Sequence, residues 1–310
     1  MSTQAIVGQL TTFTTIFLGI FIEAAPFLLL GTLASGLVEM FVDQSDVARL
    51  FPRGVFLAAL TGSLLGFVFP VCECGVVPLV RRLFNKGLPI PAGIAFLLAA
   101  PIANPVVLVS TYAAYGFGKV LAARLVLGVV VAVSVGAVFS LIPDPVDLTR
   151  APFRVVAAHD EGDGSLHQKA SEPLLVRLQA VSRIATDEFF EMSRYLILGS
   201  MLAALLQTAV PQTVLLALGS GPVLSVFVML VLAYVLCVCS TVDAFLSLAF
   251  VNTFTTGAIL GFLVFGPMVD IKSTLMFSRV FKGRVVIYLV ILPFLLTALF
   301  AVFINLNLAW

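Results

Sequence analysis

Long apolar segments, separated by short polar or proline-containing stretches, take up most of this chain and limit what it can fold into. The sequence is 61% hydrophobic and 11% charged, with a mean hydropathy of +1.15, whereas soluble domains are about 45–50% apolar and about 25% charged. A membrane-spanning helix needs roughly 20 mostly apolar residues. We place such segments near 13–39, 54–72, 90–115, 119–142, 187–210, 222–240, 257–277 and 285–308. They predict an all-α, polytopic transmembrane protein with about eight spans.

The spans fall into two sets of four, separated by one long polar stretch. We predict a first transmembrane repeat at 1–142, a polar linker at 143–185 and a second repeat at 186–310. Four crossings per half, with both linker ends in the cytoplasm, is the favoured arrangement and implies parallel repeats. Half-helices near 74–85 and 240–253 would add membrane elements, and an odd number of crossings per half would invert the repeats. The sequence leaves this choice open.

Basic residues bear on the topology, because loops rich in Lys and Arg face the cytoplasm. A basic cluster at 81–86 and the five basic residues of the linker fit the favoured arrangement. A second cluster at 279–284 would face the outside and conflicts with it.

The four cysteines form two Cys-x-Cys pairs at matching places in the two halves. Cys72 and Cys74 end one apolar segment, and Cys237 and Cys239 end another, 165 residues later. Thiolates are soft ligands that suit Cu(I), Zn(II) and trivalent arsenic. Because a disulfide within Cys-x-Cys is strained, we expect free thiols.

Ionisable residues also occur within or beside the spans. Glu23 and Glu191 lie 168 residues apart, and each is followed by an apolar run that ends in glycine. A charge inside a membrane costs about 2.5–3.5 kcal/mol and usually marks a pathway, a proton relay or an ion pair. The repeat-related glutamates favour proton coupling, and we expect Asp270 and Lys272 to pair with each other or with Glu73.

Prolines interrupt the third and seventh segments at equivalent places. Pro101 precedes Asn104, and Pro267 precedes Asp270, by three residues in each case. Proline removes a backbone donor and breaks a helix, and broken helices at matching places in two repeats point to a transport site. The amide and the carboxylate are equally suited to coordinating a ligand and to capping the freed backbone groups.

These features define the candidate site. The predicted substrate-binding residues are Cys72, Glu73, Cys74, Asn104, Cys237, Cys239, Asp243 and Asp270, and the predicted proton-coupling residues are Glu23, Glu191 and Lys272. We predict no catalytic residue, cofactor or resident metal, since there is no ATP-binding P-loop and both histidines lie in the linker. A net charge of +1 argues against nucleic acid. The expected partners are the lipid bilayer and a small-molecule or metal(loid) substrate, and the oligomeric state is left open.

Two stretches of the first half carry a resemblance to a known family. They are the run from Phe69 to Arg82, which holds Cys72-Glu73-Cys74, and the run 93–105, which ends in Ala-Pro-Ile-Ala-Asn-Pro. Together with similar elements at 237–240 and 262–272, they resemble the predicted permease family that includes YraQ and the organoarsenical exporter ArsP. The resemblance covers roughly 13–142 and 187–308.

The resemblance implies an eight-helix inner-membrane permease. For the arsenical branch it also implies efflux of trivalent organoarsenicals through the thiols at the positions of Cys72 and Cys74. Glu73 between these cysteines, and Arg81 and Arg82 after them, depart from the arsenical pattern and are closer to the YraQ branch, whose substrate the resemblance does not define.

We therefore expect a multi-pass inner-membrane transporter, not an enzyme, that exports a small thiol-reactive or soft metal(loid) species with protons. Two alternatives assign the residues differently. An anion permease would bind its substrate through Arg81, Arg82 and Lys272 and use the cysteines only for packing. A membrane thiol–disulfide electron carrier would form reversible disulfides between the halves.

Overall fold

The computed structural model describes residues 3–52, 54–69, 71–141, 148, 174–209 and 221–307. Within these ranges the chain forms thirteen helices and no strand. The helices are α1 (Thr3–Phe41), α2 (Gln44–Leu50), α3 (Val55–Val68), α4 (Glu73–Asn85), α5 (Ile90–Ala103), α6 (Pro105–Tyr115), α7 (Lys119–Phe139), α8 (Leu174–Ala209), α9 (Leu224–Leu236), α10 (Asp243–Leu248), α11 (Thr256–Met268), α12 (Ile271–Val280) and α13 (Gly283–Asn307). The predicted all-α class is confirmed.

Six helical segments are long and apolar enough to cross a membrane. Four of them are α1, α7, α8 and α13, and the other two are the pairs α5–α6 and α11–α12. The predicted spans near 54–72 and 222–240 correspond to α3 and α9, which have only 14 and 13 residues. Such helices are about 20 Å long, whereas the hydrocarbon core is about 30 Å thick. The polytopic membrane fold is confirmed, with six long spans and two shorter apolar helices in the described part.

In the first half, α3 and α4 form a hairpin that turns back inside the bundle. α3 runs parallel to α5, because Gly62 packs on Ala92 and Gly66, further along α3, packs on Ala100. α4 leads back to the end where α5 begins, since Phe84 in its last turn packs on Gly93 in the first turn of α5. The hairpin therefore enters and leaves at the same end of the bundle.

The second half contains the corresponding hairpin, formed by α9 and α10. Leu230 and Ala233 of α9 meet successive turns of α11, so these helices also run parallel. The hydroxyl groups of Ser225 and Thr255, near the starts of α9 and α11, are hydrogen-bonded at 2.9 Å. Since α9 and α11 begin at the same end, α10 and the turns after it return the chain to that end.

Within the described residues, each half thus has three helical segments long enough to cross a membrane and one hairpin. The first helices of the two halves run antiparallel, because Gly36 of α1 packs on Val181 of α8 and Met40 accepts a hydrogen bond from Arg177. An odd number of crossings makes the two halves inverted repeats. The favoured parallel arrangement does not apply, because two of the eight apolar segments end inside the bundle.

The loops α4–α5 and α12–α13 lie at one end of the bundle. The rings of Phe84 and Phe281, beside these loops, are 6.4 Å apart, and the loops carry Lys86 and Lys282. We call this end of the bundle the basic end. The other end, where α6 is followed by α7 and where α9 and α11 begin, is called the opposite end. The conflict over the cluster at 279–284 disappears, because both basic clusters lie on one side.

The two broken spans restart at residues that cap a helix. The side chain of Asn104 accepts a hydrogen bond from the Val106 backbone N–H at 2.9 Å and starts α6. The side chain of Asp270 accepts one from Ser273 at 2.7 Å and starts α12. Such caps satisfy backbone donors that a broken helix leaves open, so both breaks are stable inside the bundle.

Some boundaries predicted from the sequence remain predictions. The expected start of the second repeat at 186 falls inside α8, which is continuous from Leu174 to Ala209. Residues 149–173 of the predicted linker, and Pro70 beside the first cysteine pair, lie outside the described residues.

Candidate functional site

A buried lysine lies at the centre of the molecule, between the two halves. Lys272, in the first turn of α12, is only 1% exposed. Its Nζ lies 2.9 Å from Asp270 Oδ2 and 3.0 Å from Glu73 Oε1, and donates a hydrogen bond to the Cys237 carbonyl at 2.9 Å. The pairing expected from the sequence is confirmed, and Lys272 contacts both acids.

Three local features of the backbone direct these groups toward Lys272. Glu73 is in the first turn of α4, and Asp270 caps α12, so both carboxylates lie at helix N-termini, which stabilise negative charge. Cys237 ends α9 in a left-handed conformation, with φ 50° and ψ 38°. This conformation is uncommon for a residue other than glycine, and here it accompanies the bond from the Cys237 carbonyl to Lys272.

The four thiols surround this charged centre. All four cysteines are buried and free, which confirms the expected thiols. The side chains of Cys72 and Cys74 lie close to each other, and Cys239 lies close to Glu23. Cys74, Cys237 and Cys239 all lie near Lys272.

The centre carries more acids than bases. The carboxylates of Glu73 and Asp270 contact the one ammonium group, and Glu23 of α1 lies near both Lys272 and Glu73. Glu73 Oε2 is buried and has no hydrogen-bond partner in the described residues. In the same ranges, no group of three or more His, Cys, Asp or Glu side chains is placed to hold a metal ion. The thiols in the described residues therefore do not form an assembled metal site in this conformation.

Asp243, predicted for the substrate site, lies in a different ion pair. Arg124 of α7 binds it with two parallel hydrogen bonds, Nη2–Oδ2 at 2.6 Å and Nη1–Oδ1 at 3.0 Å. Arg124 Nη1 also donates to the Thr111 hydroxyl at 2.7 Å. This fully buried pair joins α10 to α6 and α7, on the side of the centre that faces the opposite end. Asn104 also stays apart, as the cap of α6.

Glu191, predicted as a proton carrier, lies toward the basic end. Its Oε1 accepts a hydrogen bond from Arg279 Nε at 2.6 Å, and its Oε2 is 3.6 Å from Arg81 Nη1. Nearby, Arg82 Nε donates to Glu188 Oε1 at 2.6 Å and its Nη1 is 3.7 Å from Glu39. Arg81 and Arg82, the residues of the anion alternative, are thus paired with acids.

Three charged residues of these networks were missed in the sequence. They are Arg124, Glu188 and Glu39. Arg124 lies in the second turn of a largely apolar 21-residue helix, and a charge at such a position is the signal that would have identified it. Glu188 lies in the first, more polar part of α8, where a carboxylate looks like an ordinary surface residue.

Comparison with known proteins agrees with this architecture. Residues 9–306 match the family ArsP_1, described as "Predicted permease". The chain is 43% identical over 284 residues to "UPF0718 protein YcgR" of Bacillus subtilis, covering 89% of this chain and 90% of that protein. It is 37% identical over 276 residues to the "Putative two-component membrane permease complex subunit" of Streptococcus mutans, covering 89% of each. No solved structure shows significant similarity.

The match extends over nearly the whole chain and includes both inverted repeats. It supports a membrane transporter rather than an enzyme. The chain belongs to the ArsP_1 family of predicted permeases.

Proposed function

We propose that the protein is a proton-coupled secondary transporter of the inner membrane that exports a small thiol-reactive or soft metal(loid) species, such as a trivalent organoarsenical. The observation that carries this proposal is that both cysteine pairs lie beside one ion-paired centre. Cys72 and Cys74 flank Glu73, which is paired with Lys272, and the Cys237 carbonyl accepts a hydrogen bond from Lys272. Binding between inverted repeats, at broken helices, is the common plan of secondary transporters.

The chemistry of the Cys72–Cys74 pair supports such a substrate. These two thiols lie close to each other, so both are within reach of one soft centre. With a trivalent organoarsenical diol, each As–S bond that forms replaces one As–OH bond. The thiol proton leaves with the hydroxide as water, so the arsenic stays trivalent. Two sulfurs hold the substrate selectively, and the reverse exchange with water releases it.

The acids around Lys272 support proton coupling. Two carboxyl groups contact one ammonium group and Glu23 lies nearby, and burial of unbalanced charge is costly. A proton on Glu73 or Glu23 lowers this cost, and the proton is released when the site opens to a less acidic side. In this proposal Glu191 passes protons between the basic end and this centre, whereas Asn104 and Asp243 hold the broken span and the hairpin in position.

The inverted repeats support alternating access. At the basic end, α4 and α12 are covered by α1 and α8 and held by the ion pairs of Arg82 and Arg279. Basic loops face the cytoplasm, so we assign the basic end to the cytoplasmic side. The structure is then closed toward the cytoplasm, and export requires α4 and α12 to separate from α1 and α8 and admit substrate.

Uptake of trivalent methylarsenite into everted vesicles tests the proposal. The vesicles come from a bacterial host that lacks its own arsenical exporters. Membrane vesicles are used rather than purified protein because the Streptococcus mutans relative is named "Putative two-component membrane permease complex subunit", and a second subunit that the host expresses would be retained. We expect accumulation that a protonophore abolishes and that is lost in Cys72→Ser/Cys74→Ser, while Cys237→Ser/Cys239→Ser keeps part of it.

Other outcomes would assign the function differently. Equal accumulation in the wild type and in correctly inserted Cys72→Ser/Cys74→Ser would refute the thiol site. An effect of Arg82→Ala on anion transport, with silent cysteine changes, would indicate the anion permease. A disulfide between the halves that forms reversibly on oxidation, detected by alkylation mass shifts, would indicate the electron carrier.

A further inference from the structure

A cleft of about 410 Å³ opens between α8 and α12, toward the basic end. Its lining residues are Glu191, Arg194, Tyr195, Leu198 and Arg279. The cleft is separate from the thiol centre, which lies deeper in the bundle around Lys272. It holds two guanidinium groups, one carboxylate and a phenol, an arrangement with an excess of positive charge.

The two arginines have donors available for a ligand. Arg194 makes no hydrogen bond or ion pair with any residue that the structure describes, although it belongs to a predicted membrane-spanning helix. Arg279 is 45% exposed and uses only its Nε to bind Glu191. Its two terminal nitrogens make no hydrogen bond within the described ranges. An anion in the cleft would therefore meet two guanidinium groups with free N–H donors.

The exposed surface around Arg194 is largely apolar, as expected for a helix in contact with lipid. Exposed apolar side chains flank it along the same face of α8, among them Phe190 at 63%, Leu198 at 57% and Leu202 at 43%. A charged residue on a lipid-facing surface is costly unless its head reaches the interface or finds a partner. No acidic side chain of the described residues is paired with Arg194. A negatively charged group of the membrane would therefore supply its counter-charge.

We propose that this cleft is a binding site for the phosphate group of an anionic phospholipid. The guanidinium groups of Arg194 and Arg279 would contact the phosphate oxygens, a pairing that arginine favours because its donors match the geometry of the anion. The Tyr195 hydroxyl is placed to donate a further hydrogen bond, and Leu198 lies where an acyl chain would pass. Basic pockets between transmembrane helices on the cytoplasmic side bind lipid headgroups in this way.

Lipid binding to the purified full-length protein, counted by native mass spectrometry, tests the site. The protein in detergent is titrated with dioleoylphosphatidylglycerol, with dioleoylphosphatidylcholine and inorganic phosphate as separate arms. The variants are Arg194→Gln and Arg279→Gln, and the matched control is Arg183→Gln, an exposed arginine on the same helix outside the cleft. We expect each cleft variant to bind phosphatidylglycerol about fivefold more weakly, as for one basic residue near an anionic lipid, and the control to bind as the wild type does.

Three results would overturn the proposal. Equal phosphatidylglycerol binding by all variants would mean non-specific binding. Equal affinity for phosphatidylcholine would mean an apolar groove without anion selectivity. Binding of inorganic phosphate that depends on Arg194 and Arg279, without lipid binding, would assign the cleft to a soluble anion. Arg194→Gln breaks no ion pair in the described structure, so loss of folding does not confound its result, and Arg279→Lys keeps the charge as a second check.

Discussion

The two ends of the bundle are built from equivalent elements but are packed differently. At the basic end, every residue of α4 except Asn85 is buried, and α12 is buried along the face that holds Lys272, Met276 and Val280. At the opposite end, α6 buries only Val107 and Thr111, and the six-residue α10 is the short counterpart of α4.

The difference lies in what covers the half-helices. α1 and α8 pack on α4 and α12 but not to the same extent on α6 and α10. The contacts are so close at Gly31 and Gly199 that a Cβ atom there would overlap the backbone of Gly75 or Lys272. In the proposed alternating-access mechanism the long helices would close one half-site at a time, and the unequal packing is what one state of that mechanism would require.

The largest effect is expected at the buried Lys272, whose ion pairs lie between the two ends of the bundle. We expect Lys272→Met to abolish transport and to lower the free energy of unfolding by about 5 kcal/mol, because it leaves Glu73 and Asp270 buried without their cation. Unfolding in detergent measures the stability. The triple change Glu73→Gln/Asp270→Asn/Lys272→Met removes the unpaired charges, and it should recover most of the stability but not the transport. No recovery would mean that Lys272 acts through packing alone.

The ion pair of Arg82 with Glu188, at the basic end, should show the next largest effect. Arg82→Gln leaves Glu188, which is 1% exposed, without its ion-pair partner, so we expect a loss of about 3 kcal/mol. Arg279→Gln is the comparison variant, because its pair is partly exposed and is worth at most about 1 kcal/mol. Alkylation of the native thiols by an impermeant maleimide, applied from the basic end, should become faster in Arg82→Gln. Unchanged labelling would show that this network does not close the basic end.

The close helix packing at the basic end gives a third, smaller effect. Gly31→Ala places a methyl group against the Gly75 backbone, and such overpacking costs about 1–3 kcal/mol. Gly19→Ala on the same helix meets no atom within 4 Å, so it should be neutral or stabilise the helix by up to about 1 kcal/mol. Thermal unfolding of the two variants side by side measures the difference. Equal stability would contradict the tight contact of α1 with α4.

The smallest effect belongs to the opposite end. Tyr115→Phe removes the hydroxyl that is 2.7 Å from the Ser247 hydroxyl, and loss of such a bond costs about 1 kcal/mol. Because α6 and α10 are less covered, we expect the stability change without any change in maleimide labelling from the basic end. A large rise in that labelling would show that the two ends are coupled in this state.

Much of the fold can be predicted from the sequence, because its signals are local. The matched cysteine pairs and the proline breaks before Asn104 and Asp270 indicate two repeats with interrupted helices. The proximity of Asp270 and Lys272 to each other follows from their spacing at a helix start. These features need only periodicity, composition and the chemistry of a helix cap.

The remaining features depend on tertiary structure. A 14-residue apolar helix such as α3 has the composition of a span, and only its packing parallel to α5 shows that the chain turns back. The left-handed Cys237 that ends α9 is not visible in sequence. The pair of Arg124 and Asp243 joins residues 119 positions apart, and no local pattern indicates which acid a buried arginine will meet.

The ion pairs between the halves have a consequence for how the protein is made. Most of the buried pairs cross the repeat boundary, as in Arg82–Glu188, Arg124–Asp243 and Glu73–Lys272. When the first half leaves the ribosome, its charges enter the bilayer before their partners have been synthesised, at about 2.5–3.5 kcal/mol each. A chain truncated in the linker should therefore be retained poorly in the membrane and be degraded. The same half should persist when the second half is co-expressed as a separate polypeptide, because each supplies the counter-charges of the other.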